Sequence, residues 1–287
     1  MWLFLLFGVV LAATLYFKEE VEPEYSFTDI WTKDNRLIAH ALGGINGHRY
    51  TNSLEAFQYN YDKGYRVFEV DFTLTSDEKL VARHGWSDKT NKHIKQDLII
   101  YDGESANYDD FMQTPLYGLY TPIDIYDVMA LMEKYEDVFL IIDITKSSRD
   151  LVDKKYKLII EAANHNPQVL DRIIPQIYHE WMLDDLMALY DFKSMIYTVY
   201  KIPNEEYSEE AVIQFLEKSG INLLVVHKKR ANQNFLKELN RNKVKTYIHT
   251  VNNLYYVEQD LLEREQVRPY GYMTDFIDLG KFNELLP

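Results

Sequence analysis

The chain has no cysteine. That excludes disulfides, thiolate metal sites and a cysteine nucleophile, and it suits either side of a membrane. It also lacks any Lys/Arg-rich block, and with a formal net charge of −14 it offers no basic footprint for nucleic acid. The same acidity argues against loose electrostatic adhesion to anionic lipid, so membrane attachment must be hydrophobic. Trp2 to Phe17 is the candidate: sixteen residues without a formal charge, followed at once by Lys18-Glu19-Glu20. The run falls just short of the roughly 20 residues that cross a bilayer squarely. It is long for a signal core, and no Lys or Arg precedes it. Val10-Leu11-Ala12 is a weak small-residue cleavage site. The expectation is a signal peptide or membrane anchor with an acidic linker over residues 1–24 and one extracytoplasmic domain over 25–287, anchored or exported. A buried helix of the domain is the alternative.

What remains is ample for a core. A hydrophobic fraction of 47% in 287 residues suits a single large α/β domain. β-like runs occur at Leu37–His40, Val67–Phe72, Phe139–Ile144, Ile173–Ile177, Met195–Val199, Leu223–His227, Lys245–His249 and Tyr270–Thr274. Helix-like segments lie between them, such as Ser53–Lys63, Ile123–Lys134, Leu151–Ala163, His179–Tyr190, Ser208–Lys218 and Asn232–Asn240. Strict alternation of strand and helix implies a parallel sheet. Eight such strands close most simply as a TIM-type (β/α)8 barrel, with an open doubly wound sheet as the fallback. Lys79 to His84 follows the second strand after only Ser76-Asp77-Glu78, too short for a helical crossover, so it must return as a β-hairpin. Residues 87 to about 121 then form an Asp- and Tyr-rich insertion at the carboxyl-end face, where barrel enzymes keep their chemistry. The 23 tyrosines read mainly as half-buried packing.

Candidate chemistry gathers at that face. Along Phe68-Glu69-Val70-Asp71-Phe72, residues two apart share a face. The apolar set must meet the helices, so Glu69 and Asp71 point into the barrel. Two buried like charges need a cation, and a divalent ion with oxygen ligands is the obvious one. The competing reading is a structural pair bridged by Lys or Arg. Asp143 breaks the apolar run Leu140-Ile-Ile-Asp143-Ile144 and adds a third carboxylate at the same end. Three acids without a thiol suit Mg2+ or Ca2+ better than zinc. His40 ends the first strand and His84 the return hairpin. Imidazoles flanking an acidic cluster can pass protons at neutral pH. His48, His93, His165 and His179 read as loop or helix-surface residues, whereas His227 and His249 end later strands.

Ile38-Ala-His40, Asn52-Ser-Leu-Glu-Ala-Phe57, Gly64, Phe68-Glu69-Val-Asp71, Thr75-Ser-Asp77 and Leu80-Val-Ala-Arg-His84 resemble, in order and spacing, the amino-terminal half of the glycerophosphodiester phosphodiesterase family. Thr121-Pro122 to Asp143, Thr250-Val-Asn252 and Thr274-Asp275 are similar to its later landmarks. The resemblance runs from about residue 36 and implies a PLC-like TIM barrel that hydrolyses phosphodiesters, of glycerol or of related lipids and wall polymers. It implies one ion, Mg2+ or Ca2+, on Glu69, Asp71 and Asp143, with His40 and His84 as the acid–base pair. On that reading His40 activates the nucleophile and His84 protonates the leaving alkoxide, although the two roles can be exchanged. Departures from the family pattern are Ala41-Leu42 where Arg-Gly is usual, Asp143 where Glu is usual, and Lys146 three residues later rather than two. Gly85, Thr51 and His249 stand where Asp, an acid and Trp are usual. The phosphate's missing cation then falls to Lys146 or Arg83. An Asp third ligand and a His-Gly pair also resemble the sphingomyelinase D branch, which forms a cyclic phosphate. A metal-independent lyase and a non-catalytic phosphodiester-binding barrel complete the alternatives.

Overall fold

The computed structural model describes residues 22–98, 104–144, 147–263 and 267–286. The chain builds β1 (Leu37–Ala39), α1 (Leu54–Asp62), β2 (Val67–Leu74), β3 (Leu80–Ala82), α2 (Asp88–Ile94), α3 (Tyr108–Gln113), α4 (Ile125–Lys134) and β4 (Phe139–Asp143). It continues with α5 (Arg149–Ala162), α6 (Pro167–Leu170), β5 (Ile173–Ile177), α7 (Trp181–Leu189), β6 (Ile196–Thr198) and α8 (Glu209–Ser219). The last elements are β7 (Leu223–His227), α9 (Gln233–Arg241), β8 (Lys245–His249), α10 (Leu254–Glu263), β9 (Gly271–Thr274) and α11 (Leu279–Glu284).

Eight strands, all but β3, pair in parallel, and the pairing of β1 with both β9 and β2 closes the sheet. This is the (β/α)8 barrel, not the open sheet. β3 returns antiparallel along β2, with Phe72 opposite Ala82, so the hairpin expectation holds. The helices start where polar caps meet amphipathic runs. Ser53 Oγ accepts from the Ala56 N–H at 3.3 Å to open α1, and Asp124 and Asp127 form a reciprocal capping box on α4.

Alternation along the strands sorts the core into two shells. Phe68, Val70, Phe72, Leu140 and Ile142 face outward into the main core beneath the helices. Val67, Ile141, Ile174, Ile196, Val225, Tyr247 and Met273 fill the barrel interior. Trp31, 2% exposed, joins that interior cluster. Its indole donates to Ser194 Oγ at 3.0 Å and stacks on Tyr247, which plugs the amino end of the barrel. Ahead of it, a strap is tied down by Glu24 N–H to Lys218 O and Thr28 N–H to Lys193 O, both at 2.8 Å. The strap passes so close to Gly220 that a Cβ there would lie 2.0 Å from Tyr25 O.

Sequence periodicity overlooked α10 and α11 and the two short helices α2 and α3 inside the insertion. Each of the latter is stapled by its own Asx or Ser cap and is too short to display a periodic face. Among the described residues no helix is long and apolar enough to cross a membrane. The run Trp2–Phe17 and Lys146 lie outside the described residues.

Candidate active site

The inward alternation that fills the lower barrel with aliphatic side chains turns polar at its carboxyl end. On β2 the inward positions are Val67, Glu69 and Asp71, and β4 meets β2 in register with Asp71 beside Asp143. Glu69, Asp71 and Asp143 are all buried, and one carboxylate oxygen from each lies within 4.8 Å of the others. Among the described residues no Lys or Arg lies at ion-pair distance from them, so the pair-bridged reading of Glu69 and Asp71 finds no bridging partner there.

Each acid is oriented by hydrogen bonds that leave one side bare. Glu69 Oε2 accepts the Ala41 N–H at 2.7 Å. Asn52 clamps Asp71, donating to its Oδ2 at 2.9 Å and accepting its backbone N–H at 3.0 Å. Asp143 Oδ2 accepts from the Tyr178 hydroxyl at 2.7 Å and from Gln176 Nε2 at 3.3 Å. Glu69 Oε1 and Asp143 Oδ1 are buried without any partner. Unpaired buried carboxylate oxygens are costly, and hard oxygen donors converging in this way fit a Mg2+- or Ca2+-class ion. The electrostatics agree. Burial first, then the charge of Asp71, raises the Glu69 carboxyl well above its ordinary range. Burial also pushes Asp143 up to about 6, against the pull of Lys201.

The two histidines flank this cluster differently. His40 is buried; its Nδ1 is 2.8 Å from Asp275 Oδ1, and its Nε2 is 3.9 Å from Glu69 Oε2. Burial opposes its charge, but the Asp275 hydrogen bond and the charges of Glu69, Asp275 and Asp71 outweigh burial and push its pKa up to about 9. Asp275 is itself gripped by Asn252, which donates to its Oδ2 and accepts its N–H, both at 2.6 Å. The turn after His40 holds Ala41 and Leu42 at positive φ, 50° and 64°, which aims the Ala41 N–H at Glu69. Gly44 then donates to Asp275 O at 2.7 Å, and a Cβ on it would collide with Phe276. His84 is exposed, with Nε2 3.9 Å from Asp71 Oδ1. Tyr50 stands between the two, its ring centroid 4.9 Å from that of His40 and 5.3 Å from that of His84.

Comparison with known proteins bears on what this constellation does. The sequence profile of the glycerophosphoryl diester phosphodiesterase family matches residues 44–279. The chain belongs to that family. It is an enzyme, a phosphoric diester hydrolase on the family's barrel. A phosphodiesterase of Oleispira antarctica, solved with the product sn-glycerol-3-phosphate, is similar at TM-score 0.67 and 18% identity, covering 88% of this chain and 96% of its own. A glycerophosphodiester phosphodiesterase of Thermotoga maritima gives 0.62 and 18%, covering 88% and 98%. A glycerophosphoryl diester phosphodiesterase of Parabacteroides distasonis gives 0.66 and 14%, covering 91% and 93%. These identities speak for the fold alone. No curated protein sequence matches the chain.

Within this phosphodiesterase, the fold brings together Glu69, Asp71, Asp143, His40 and His84. Arg83 borders the same cavity, but its guanidinium is engaged by Gly85 O, Asn91 Oδ1 (2.5 Å) and Gln96 Oε1 (3.3 Å) and stacks 4.2 Å from the Trp86 ring. Sequence reasoning assigned no role to Asp275, Asn52, Asn252, Tyr178, Tyr200 or Lys201. Asp275, Tyr178 and Tyr200 each sit two residues beyond an inward core position (Met273, Gln176 and Thr198), so strand period gives their direction but not their role. His249, also inward, stacks on Tyr200 at 4.3 Å and lies 5.0 Å from His40. Burial, with the charges of His40 and Lys201, drives its pKa well below the ordinary value. His48 and His93 serve the insertion: His48 Nδ1 is 2.9 Å from the Tyr120 hydroxyl, and His93 lies on α2.

Proposed function

We propose that this phosphodiesterase is metal-dependent and cleaves glycerophosphodiesters or related lipid-derived diesters by acid–base catalysis through His40 and His84. The observation that carries the reading is the pair of buried, unpartnered oxygens on Glu69 and Asp143 beside Asp71, a donor set that fits Mg2+ or Ca2+. Held by these three residues, one such ion supplies electrostatic stabilisation of the phosphoryl oxygens.

The remaining work belongs to the chain. Asp275 accepts from His40 Nδ1, which fixes the ring and leaves Nε2 facing the acidic cluster. An ion on the acids would offset the charges of Glu69 and Asp71 that help raise the His40 pKa, and neutral His40 then takes the proton of the attacking hydroxyl. His84, across Asp71 and open to the cavity, gives a proton to the departing alkoxide. Each transfer contributes about 10²–10⁴-fold. Lys201, which borders the cavity and lies over the Tyr178 ring at 4.8 Å, is the described cation suited to the phosphate where the usual Arg is Ala41. The neighbour solved with sn-glycerol-3-phosphate supports a glycerol phosphate product. We place the domain outside the cytoplasm, held or led there by Trp2–Phe17.

Turnover of glycerophosphodiesters before and after chelation tests the core of this reading. Activity is expected to vanish in excess chelator and to return with Mg2+ or Ca2+. Full turnover in chelator would sink the metal and revive a lyase-like mechanism.

A further inference from the structure

A cavity of about 690 Å3 opens from Asp71, Asp143 and His84 and runs between β2, α2 and the start of α5. It is in the range that accepts a drug-sized ligand, about 300–1,000 Å3, and is far roomier than a methyl or glyceryl group needs. Its walls away from the acids are largely apolar: Phe72, Leu74, Trp86, Ile94 and Leu151. Leu151, 41% exposed at the α5 end of the cavity, extends this apolar wall.

Away from the acidic cluster, the charges around the cavity are of one sign. Arg49, Lys89, Lys155 and Lys201 border it, and the only carboxylates among its described lining residues are Asp71 and Asp143, both committed to the acidic cluster. Lys155 is buried, its Nζ donating to Ser147 Oγ at 2.9 Å and to Phe72 O at 3.4 Å. Of the aromatic faces in its described lining, Trp86 lies under the Arg83 guanidinium and Tyr50 under that of Arg49. Among the described lining residues no aromatic cage with a counter-charge outside the acidic cluster is left for choline or ethanolamine.

We propose that the alcohol expelled by this enzyme is uncharged and apolar, and that it lies in this cavity. The proposal rests on the hydrolase reading above and on His84, which faces the cavity, as the acid. In the reaction the oxygen of water bonds to phosphorus and loses its proton to His40. The bond from phosphorus to the alcohol oxygen breaks with its electron pair on oxygen, and that oxygen takes the proton of His84. The products are sn-glycerol 3-phosphate and the free alcohol, released from an apolar wall.

Two substrate sets test this with the full chain and saturating Mg2+ or Ca2+. The first is a series of sn-glycerol-3-phospho esters from methanol to octanol, used below micelle formation. Here kcat/KM is expected to climb by up to about fourfold per added methylene until the cavity is full. The second is an isosteric pair, the choline ester and the 3,3-dimethylbutyl ester, which share a shape and differ in charge. The uncharged ester is expected to be better by tenfold or more, and Leu151→Glu should swing that ratio back toward choline by a similar factor. A flat chain-length series, or a choline ester that matches its isostere while metal-dependent turnover persists, overturns the proposal and leaves the hydrolase reading standing. Absence of turnover on every ester, metal present, overturns both.

Discussion

Asp275 shows what a single residue contributes to this site, because it touches no carboxylate of the cluster yet sets the state of His40. Its carboxylate holds Nδ1 at 2.8 Å and helps raise the imidazole pKa to about 9. Asp275→Asn keeps the shape and removes the charge, so kcat should drop by about 10²–10⁴-fold with circular dichroism unchanged. The His40 pKa should fall in an NMR titration. A variant with native kcat and an unshifted imidazole would remove Asp275 from the mechanism. The acids make a second test. Burial raises Asp143 from 3.8 to about 6 and lifts Glu69 as well, so in the absence of a cation the folded chain binds these protons more tightly than the unfolded one. Their stabilising contribution is complete below about pH 4 and is lost as pH rises through 6. A divalent ion competes for the same oxygens, so its affinity should rise across that window. Free ion at about 100 Kd adds about 2.7 kcal/mol. Melting curves with and without Mg2+ at pH 5 and pH 7 check this; a metal-induced shift equal at both would contradict it. The acids and both histidines were legible in the sequence because strand period turns a polar residue in an apolar run into a direction. Tyr178 and Tyr200 were not, since tyrosine on a strand end looks the same whether it packs or, like Tyr178, bonds a buried carboxylate.

At the scale of elements, the β2–β3 hairpin and α2 decide the shape of the cavity, and Arg83 decides how they are joined. Its guanidinium bonds Gly85 O, Asn91 and Gln96 and stacks on Trp86, so it ties the strand end to α2. From sequence, an Arg beside a site histidine reads as a phosphate ligand; its partners are spread over thirteen residues of non-periodic chain, which no spacing rule links. The geometry therefore makes a sharp distinction. Arg83→Met should cost about 2–3 kcal/mol of stability through the polar partners left unpaired, read by urea denaturation. The kcat on an acidic-leaving-group diester should change little. Collapse of kcat/KM at unchanged stability would return Arg83 to the phosphate. The strands and the longer helices other than α10 were read within a residue or two, whereas α2 and α3 were missed because caps, not amphipathic faces, define them.

For the molecule as a whole, the question is where the folded unit begins. The acidic linker sets the expected boundary at residue 25; next to it Glu24 and Thr28 pair with Lys218 and Lys193, and Trp31 seals the amino end of the barrel. Composition could mark the charged linker but not the backbone hydrogen bonds it makes, because those depend on partners far along the chain, at Lys193 and at Lys218 in α8. A chain starting at Glu22 retains every one of these contacts, whereas one starting after Thr32 forfeits Trp31, whose loss alone should cost about 3–5 kcal/mol. The run Trp2–Phe17 precedes this unit in the sequence. At 1.5 Å per residue a helix of its length reaches about 24 Å, enough to enter a bilayer core of about 30 Å without comfortably crossing it. If that run is the membrane attachment, the full chain should sediment with membranes and come free only in detergent, resisting high salt and carbonate because nothing electrostatic holds it. The chain from Glu22 should be soluble, melt cooperatively and turn over diesters at the rate of the full chain. Aggregation of the shortened chain, together with a full chain that stays dispersed without detergent, would instead make the run part of the core.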